Sequence, residues 1–337
     1  MADDLNTTHS APPLHTTFAT RGIHPPLFSS FRPREHKIAT SHPLSHVAWS
    51  CDGKKLAAVG TDKTTRVWTP EKSMEPRTAS FFTGAHSDEV DYVAWNPTHP
   101  DLFCTSSQKD RRIVFWDARQ SRAIQQILLR SSPMQLHYSP DGRTIAVVSI
   151  AHQLSFLSLG KESEDTKETW RQLPKDSQVA ASTAIFTNAG DALIITHYSE
   201  HTVRVIDWPT LKLLEHPAAH VQGCIAVAQD PRGKRVYLAS GGFDSIVNLF
   251  DTSEWICART ITSCDHSINS LAFSHDGEYL AISSTGSYIN ICSVETGEQM
   301  HRINLTAPVP SVTWHPSKYA FAYCGPPGVV GLFGLSE

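Results

Sequence analysis

Apolar residues in this chain come in short bursts, rich in β-branched and aromatic side chains, and turn formers interrupt them at even intervals. Runs such as Thr65-Arg66-Val67-Trp68, Ile113-Val114-Phe115-Trp116, Val203-Arg204-Val205-Ile206, Ile246-Val247-Asn248-Leu249-Phe250 and Tyr288-Ile289-Asn290-Ile291 have the composition of strands. No stretch of helical period competes with them. A marker residue closes the first run of each unit: Trp49, Trp95, Tyr138, Phe186, Gln229 (an amide where an aromatic is expected), Phe273 and Trp314. Successive markers lie 41 to 48 residues apart, close to the roughly 40 to 45 residues of a four-stranded propeller blade. Seven such units predict an all-β, seven-bladed β-propeller.

Behind most markers a turn ends in Gly, as in Cys51-Asp52-Gly53, Pro140-Asp141-Gly142, Asn188-Ala189-Gly190, Pro231-Arg232-Gly233 and His275-Asp276-Gly277. Asp or Pro starts such a turn, and Gly accepts the positive φ that closes it. Second strands then follow at Leu56 to Val59, Ile145 to Val148, Leu193 to Ile195, Val236 to Ala239 and Leu280 to Ile282. Radial repetition leaves only short protected edges. The last run, Val329-Val330-Gly331-Leu332-Phe333, reads as a third strand, so the seventh blade lacks an outer one. Arg34 to Ala39 precedes the first unit and is free to supply it, which would latch the ring.

In the second unit His86, Ser106, Asp110 and Trp116 stand where one hydrogen-bonded network can join them. The indole donates, the hydroxyl donates and accepts, the imidazole needs one acceptor, and the carboxylate accepts. Each bond contributes about 1 kcal/mol net, whereas an orphaned buried partner costs about 1–3 kcal/mol. This structural tetrad fixes blade shape and is no catalytic triad. Unit five keeps His220, Ser240 and Asp244 but has Phe250 at the indole position. Unit one keeps Asp62 and Trp68, with Thr40 and Ala58 at the other two places.

Length alone would allow two domains, yet equal repeats without a linker argue for one. Residues 1–27 carry Thr, His and Pro with few aliphatics and are expected to form a disordered N-terminal tail, leaving 28–337 as the propeller. Lys161 to Asp176 is expected to hold an outer strand around Trp170 and a longer surface loop. The seven Cys lack CxxC spacing, so buried reduced thiols are expected instead of disulfides or zinc. No signal sequence and no apolar stretch long enough to span a membrane is visible.

Against 33 acidic residues stand 29 basic ones, a net charge of −4. Scattered Lys and Arg give no footprint of a nucleic-acid face. Lys63, Arg66, Arg111, Arg112 and Arg204 lie in turns or third strands, where a positive patch could assemble in three dimensions, but a solvated surface is the expected reading. The sequence shows no GxSxG, HExxH, phosphate loop or GxGxxG, so no enzyme activity and no cofactor are expected. His197 and His201 flank a turn and are not expected to bind metal.

Two local features point to partners. Residues just before the turn Asp, or early in a first strand, line the loop face near a propeller's channel, which singles out Asp91, Tyr92, Lys109 and Phe243; an exposed turn Phe suits an interface anchor. Trp116-Asp117-Ala118-Arg119 resembles the W-D-x-R box by which some propellers dock on a cullin-type ubiquitin ligase adaptor. The alternative function from Trp116, Asp117 and Arg119 is therefore a ligase substrate receptor.

The stretches His46-Val47-Ala48-Trp49-Ser50-Cys51-Asp52-Gly53-Lys54-Lys55-Leu56-Ala57, Asn96-Pro97-Thr98-His99-Pro100-Asp101-Leu102-Phe103, Tyr138-Ser139-Pro140-Asp141-Gly142-Arg143-Thr144-Ile145-Ala146-Val147, Ser274-His275-Asp276-Gly277, Val294-Glu295-Thr296-Gly297-Glu298 and Leu332-Phe333-Gly334-Leu335 occur here in order. Together, from about Leu27 onward, they resemble the WD-repeat subunit family of the THO complex. Units three and four match more loosely. The resemblance implies a WD-repeat propeller in the nucleus that has no enzymatic role. It implies a subunit that docks on large helical scaffold subunits of a THO/TREX assembly, linking transcription elongation to mRNA packaging and export. Association with mRNA would then be indirect, with no membrane and no small-molecule substrate.

Overall fold

The computed structural model describes residues 24–38, 42–161, 163, 167–174, 179–232, 237–325 and 328–334. Each marker ends the first strand of a sheet: Leu44–Trp49, Tyr92–Trp95, Pro133–Tyr138, Thr183–Phe186, Cys224–Gln229, Ile268–Phe273 and Ser311–Trp314. Among the described residues the strands form seven antiparallel sheets of four. The seven-bladed WD-repeat propeller expected from the repeats is the architecture observed. Glycines 53, 142, 190 and 277 take positive φ between 69° and 76° in the turns after the first strands, as the turn sequences require. Residues 1–23 of the expected tail, Thr40, Gly233, Val236, Leu335 and parts of Lys161 to Asp176 lie outside the described residues. The outer strand around Trp170 is Thr169–Gln172.

The core lies between blades. Val59 and Val67 of the first blade pack with Val93, Trp95 and Trp116 of the second, and Ile113 and Phe115 of the second pack with Leu136, Tyr138 and Ile145 of the third. Every sheet is thus apolar on both faces, which explains why second and third strands read as continuous apolar runs and not as alternation. Burial of each such side chain contributes about 1.5–3 kcal/mol. The marker side chains tie neighbours directly: the Trp95 indole donates to Ala48 O at 3.0 Å and that of Trp49 to Thr313 O at 3.3 Å. Gln229 performs the same task with an amide. Its Oε1 accepts from Asn188 N at 2.9 Å, and Asn188 Nδ2 donates to Asp230 O at 2.8 Å.

Closure follows the expected route. Arg34–Lys37 pairs antiparallel with Val329–Phe333, in register from Arg34 against Leu332 to Lys37 against Val329. Just upstream, Phe28 is buried against Tyr279, with ring centroids 4.7 Å apart and edge-on, and against Trp314 and Phe333. The latch therefore has a hydrogen-bonded part and an aromatic plug that reaches the sixth blade.

Candidate interaction surfaces

The network of the second blade runs through Thr105, not Ser106. Trp116 Nε1 donates to Thr105 Oγ1 at 2.8 Å, His86 Nε2 lies 2.8 Å from the same hydroxyl, and His86 Nδ1 lies 2.9 Å from Asp110 Oδ2. Satisfaction fixes the polarity: indole to hydroxyl, hydroxyl to Nε2, and Nδ1–H to carboxylate. Ser106 Oγ is buried with no hydrogen-bond partner among the described residues. In the fifth blade Ser240 stands opposite Asn248 and four residues before Asp244, whereas Thr105 stands opposite Val114 and five before Asp110. The extra residue lies in the turn. Counting back from the Asp lands on Ser106, but strand alternation points Ser106 to the other face.

The fifth blade matches its expectation. His220 bridges Asp244 Oδ1 at 3.0 Å and Ser240 Oγ at 2.9 Å, and buried Phe250 fills the indole position. In the first blade Asp62 instead holds the Arg66 guanidinium, and Trp68 donates to Glu75 O at 3.2 Å. A cation beside the turn Asp replaces imidazole there.

Of the four candidate contact residues, Asp91, Tyr92 and Lys109 gather on the second blade and Phe243 stands apart. Asp91 Oδ2 accepts from Gln108 N at 2.7 Å, which ties the turn that holds Asp110. Tyr92 stacks on His46 with centroids 3.8 Å apart and lines the central channel with Gln135, His137 and Asn269, a space of about 670 Å³. Burial raises the Tyr92 pKa to about 12 and lowers those of His46 and His137 to about 4, so the channel is polar but uncharged near neutrality. Lys109 reaches out to Glu89 at 2.9 Å. Phe243 sits three blades away and is exposed.

Arg119 grips Asp117 with two bonds, Nε to Oδ1 at 2.9 Å and Nη2 to Oδ2 at 2.7 Å, and approaches Asp101 at 3.7 Å. Lys55 of the first blade meets Asp101 at 2.8 Å. The guanidinium is exposed, yet its planar edge is already engaged. On the opposite face, Lys63 donates to Ser87 O at 2.8 Å and Arg204 pairs with Glu200 at 3.0 Å. Arg66 is held by Asp62, Lys63 and Arg112 reach the loop at Ala85 to Ser87, and Arg204 stands on the fourth blade, so the five basic candidates do not make one patch.

His197 Nδ1 meets Ser199 Oγ at 2.8 Å, and its ring packs on Tyr198. Five cysteines are buried and free; Cys51 and Cys257 are free but exposed, against the expectation. Sequence reading also missed Ile150, Tyr198 and Val221, all exposed on the Phe243 face. The available signal was the one that found Phe243, an apolar residue in a loop joining strands.

Comparison with known proteins agrees with this architecture. The model for the WD domain, G-beta repeat, matches residues 34–69 and 78–117, and that for the anaphase-promoting complex subunit 4 WD40 domain matches 234–317. The crystal structure of the Myceliophteria thermophila Cps50 (Swd1) β-propeller domain superposes with a TM-score of 0.74 at 17% identity, over 90% of this chain and 100% of that one. WD repeat-containing protein AAC3 of Dictyostelium discoideum is 27% identical over 307 residues, 85% of this chain and 62% of its own length. THO complex subunit 3 of Arabidopsis thaliana is 33% identical over 298 residues, 88% of this chain and 91% of its own length. Identity at that level, sustained across nearly the whole of both chains on a shared seven-bladed frame, means that this chain belongs to the THO complex subunit 3 family.

Proposed function

We propose that this protein is a non-enzymatic interaction subunit of a THO-like complex in the nucleus, with residues 28–337 forming one rigid propeller that positions other subunits. The observation that carries this is the 33% identity to the Arabidopsis subunit over 91% of its length. In this reading the complex couples transcription elongation to packaging and export of mRNA. The propeller docks on the large helical subunits, and its own association with mRNA is indirect. The hydrogen bonds that join His86, Thr105, Asp110 and Trp116 to one another support the reading, because they serve the frame of the blade.

Affinity purification of the tagged full chain from nuclear extract tests it. Co-recovery of helical THO subunits is the expected result. Recovery of a cullin adaptor, lost in Arg119→Ala, would instead favour the ligase receptor; the engagement of Arg119 by Asp117 speaks for an ordinary structural role.

A further inference from the structure

The face that carries the loops between second and third strands divides into two unlike sectors. Over the first two blades it is charged and mostly self-neutralised: Asp62 holds Arg66, and Lys109 meets Glu89 and Asp88. Over blades three to five it presents Ile150, Tyr198, Val221 and Phe243, exposed by 51%, 47%, 79% and 42%. Large apolar side chains exposed in adjoining loops, not singly, mark an interaction surface.

Hydrogen bonds between loops show that these groups form one surface. Ile150 N donates to Ser132 O at 3.0 Å, Ala181 N to His152 O at 2.8 Å, Tyr198 N to Ser182 Oγ at 3.0 Å and Phe243 N to Gly223 O at 3.0 Å. A Cβ at Gly223 would lie 1.6 Å from Tyr198 O, so only glycine lets the loops of blades four and five meet this closely. At the third-blade end two exposed cations, Arg111 and Arg130, stand side by side, since Leu129 N donates to Arg111 O at 2.8 Å. Among the described residues no hydrogen bond or ion pair engages either guanidinium.

We propose that this surface seats an amphipathic helix of a helical THO subunit, whose apolar face covers Val221, Phe243, Tyr198 and Ile150 and whose acidic end meets Arg111 and Arg130. The inference rests on the THO reading above and adds the face, the anchors and the charge of the partner. Charge complementarity selects the acidic end, because Arg111 and Arg130 border a patch whose own charged groups are already engaged, Glu200 by Arg204 and Asp244 by His220. A helix is selected over an extended strand because the loop N–H groups here are already spent on one another. The N–H groups of Ile150, Ala181, Tyr198 and Phe243 are thereby closed to strand addition, whereas a helix brings its own hydrogen bonds satisfied. Two cations on a chain of net charge −4 are too few for the phosphate neutralisation that carries RNA affinity.

The test compares tagged full-length wild type with Val221→Asp/Phe243→Asp, Arg111→Glu/Arg130→Glu and a control, Leu213→Asp, at an exposed outer-strand position of the fourth blade. Recovery of helical THO subunits from nuclear extract is the readout, and direct binding of a uridine oligonucleotide is measured in parallel. Both double variants are expected to lose THO subunits at least about tenfold at unchanged melting temperature, with the control unaffected. The arginine pair is expected to flatten the salt dependence of recovery. Should the apolar variant fail to fold, the arginine pair carries the test alone. If wild type and all variants recover the subunits equally, this inference falls and the THO reading stands. If wild type recovers none, both fall. Oligonucleotide binding by wild type that Arg111→Glu/Arg130→Glu abolishes would make RNA the occupant and overturn the inference.

Discussion

The Trp116 indole donates to the Thr105 hydroxyl at 2.8 Å, and that hydroxyl also meets His86, so one oxygen joins the third strand of the second blade to the loop before its first. Thr105→Val keeps the shape and removes the only group both partners use. Two buried polar groups are then orphaned, at about 1–3 kcal/mol each. Denaturant unfolding should show a loss of about 3 kcal/mol for Thr105→Val and a much smaller one for Thr105→Ser. Ser106→Ala, which deletes an unpartnered buried oxygen, should be neutral or mildly stabilising. Equal losses at 105 and 106 would contradict this assignment.

Histidines give the ring a pH dependence whose sign can be worked out. Burial lowers the pKa of His86 and His220 in spite of their Asp partners, and lowers His46 and His137 to about 4. In the unfolded chain these groups titrate near 6.5. Between the two values the unfolded state binds more protons, so stability is complete above about 6.5 and lost as pH falls toward about 4. Melting temperatures measured from pH 7.5 down to 4.5 should therefore decline. His46→Phe, which keeps the stack on Tyr92 without a titrating group, should show a shallower decline; an unchanged slope would rule His46 out as a contributor.

Ring closure depends on Phe28 as well as on strand pairing. Removing a buried aromatic side chain costs about 3–5 kcal/mol, and Phe28 is plugged between Tyr279, Trp314 and Phe333. Phe28→Ala should lower stability by about 3 kcal/mol, and deletion of residues 1–37 by more, because Val329–Phe333 then becomes an open edge. A melting curve of the deletion that overlays wild type would mean that the latch contributes nothing.

Asp230 is fully buried and held by Arg232, with Nε at 2.9 Å and Nη2 at 2.6 Å from Oδ2. Burial still raises its pKa, although Arg232 opposes the shift. Arg232→Ala would strand a buried carboxylate, a loss on the order of 3 kcal/mol at neutral pH. Because the stranded carboxyl can take up a proton, the deficit relative to wild type should shrink as pH falls toward 5. A deficit that grows with acid would show that the charge of Asp230 is not what Arg232 compensates.

The number of blades, the Gly turns and the strand that latches the ring were legible in the sequence, since they follow from short apolar runs, turn chemistry, a repeat length and the count of strands that leaves the last blade one short. Even Gln229 kept its place as a marker, because an amide can bridge blades as an indole does. Only the tertiary structure decided which hydroxyl serves Trp116. One added turn residue changes the spacing to Asp110 without changing the strand register, and spacing is all that a sequence displays. It also decided that Tyr92 faces the channel while Phe243 joins Tyr198 and Val221 on the loop face, and that among the described residues no partner engages the Arg111 and Arg130 guanidinium groups while Arg119 is held. Tyr198, Val221 and Phe243 come from separate repeats, and their meeting depends on the angle between blades, which is set by packing across the ring and is written in no single segment.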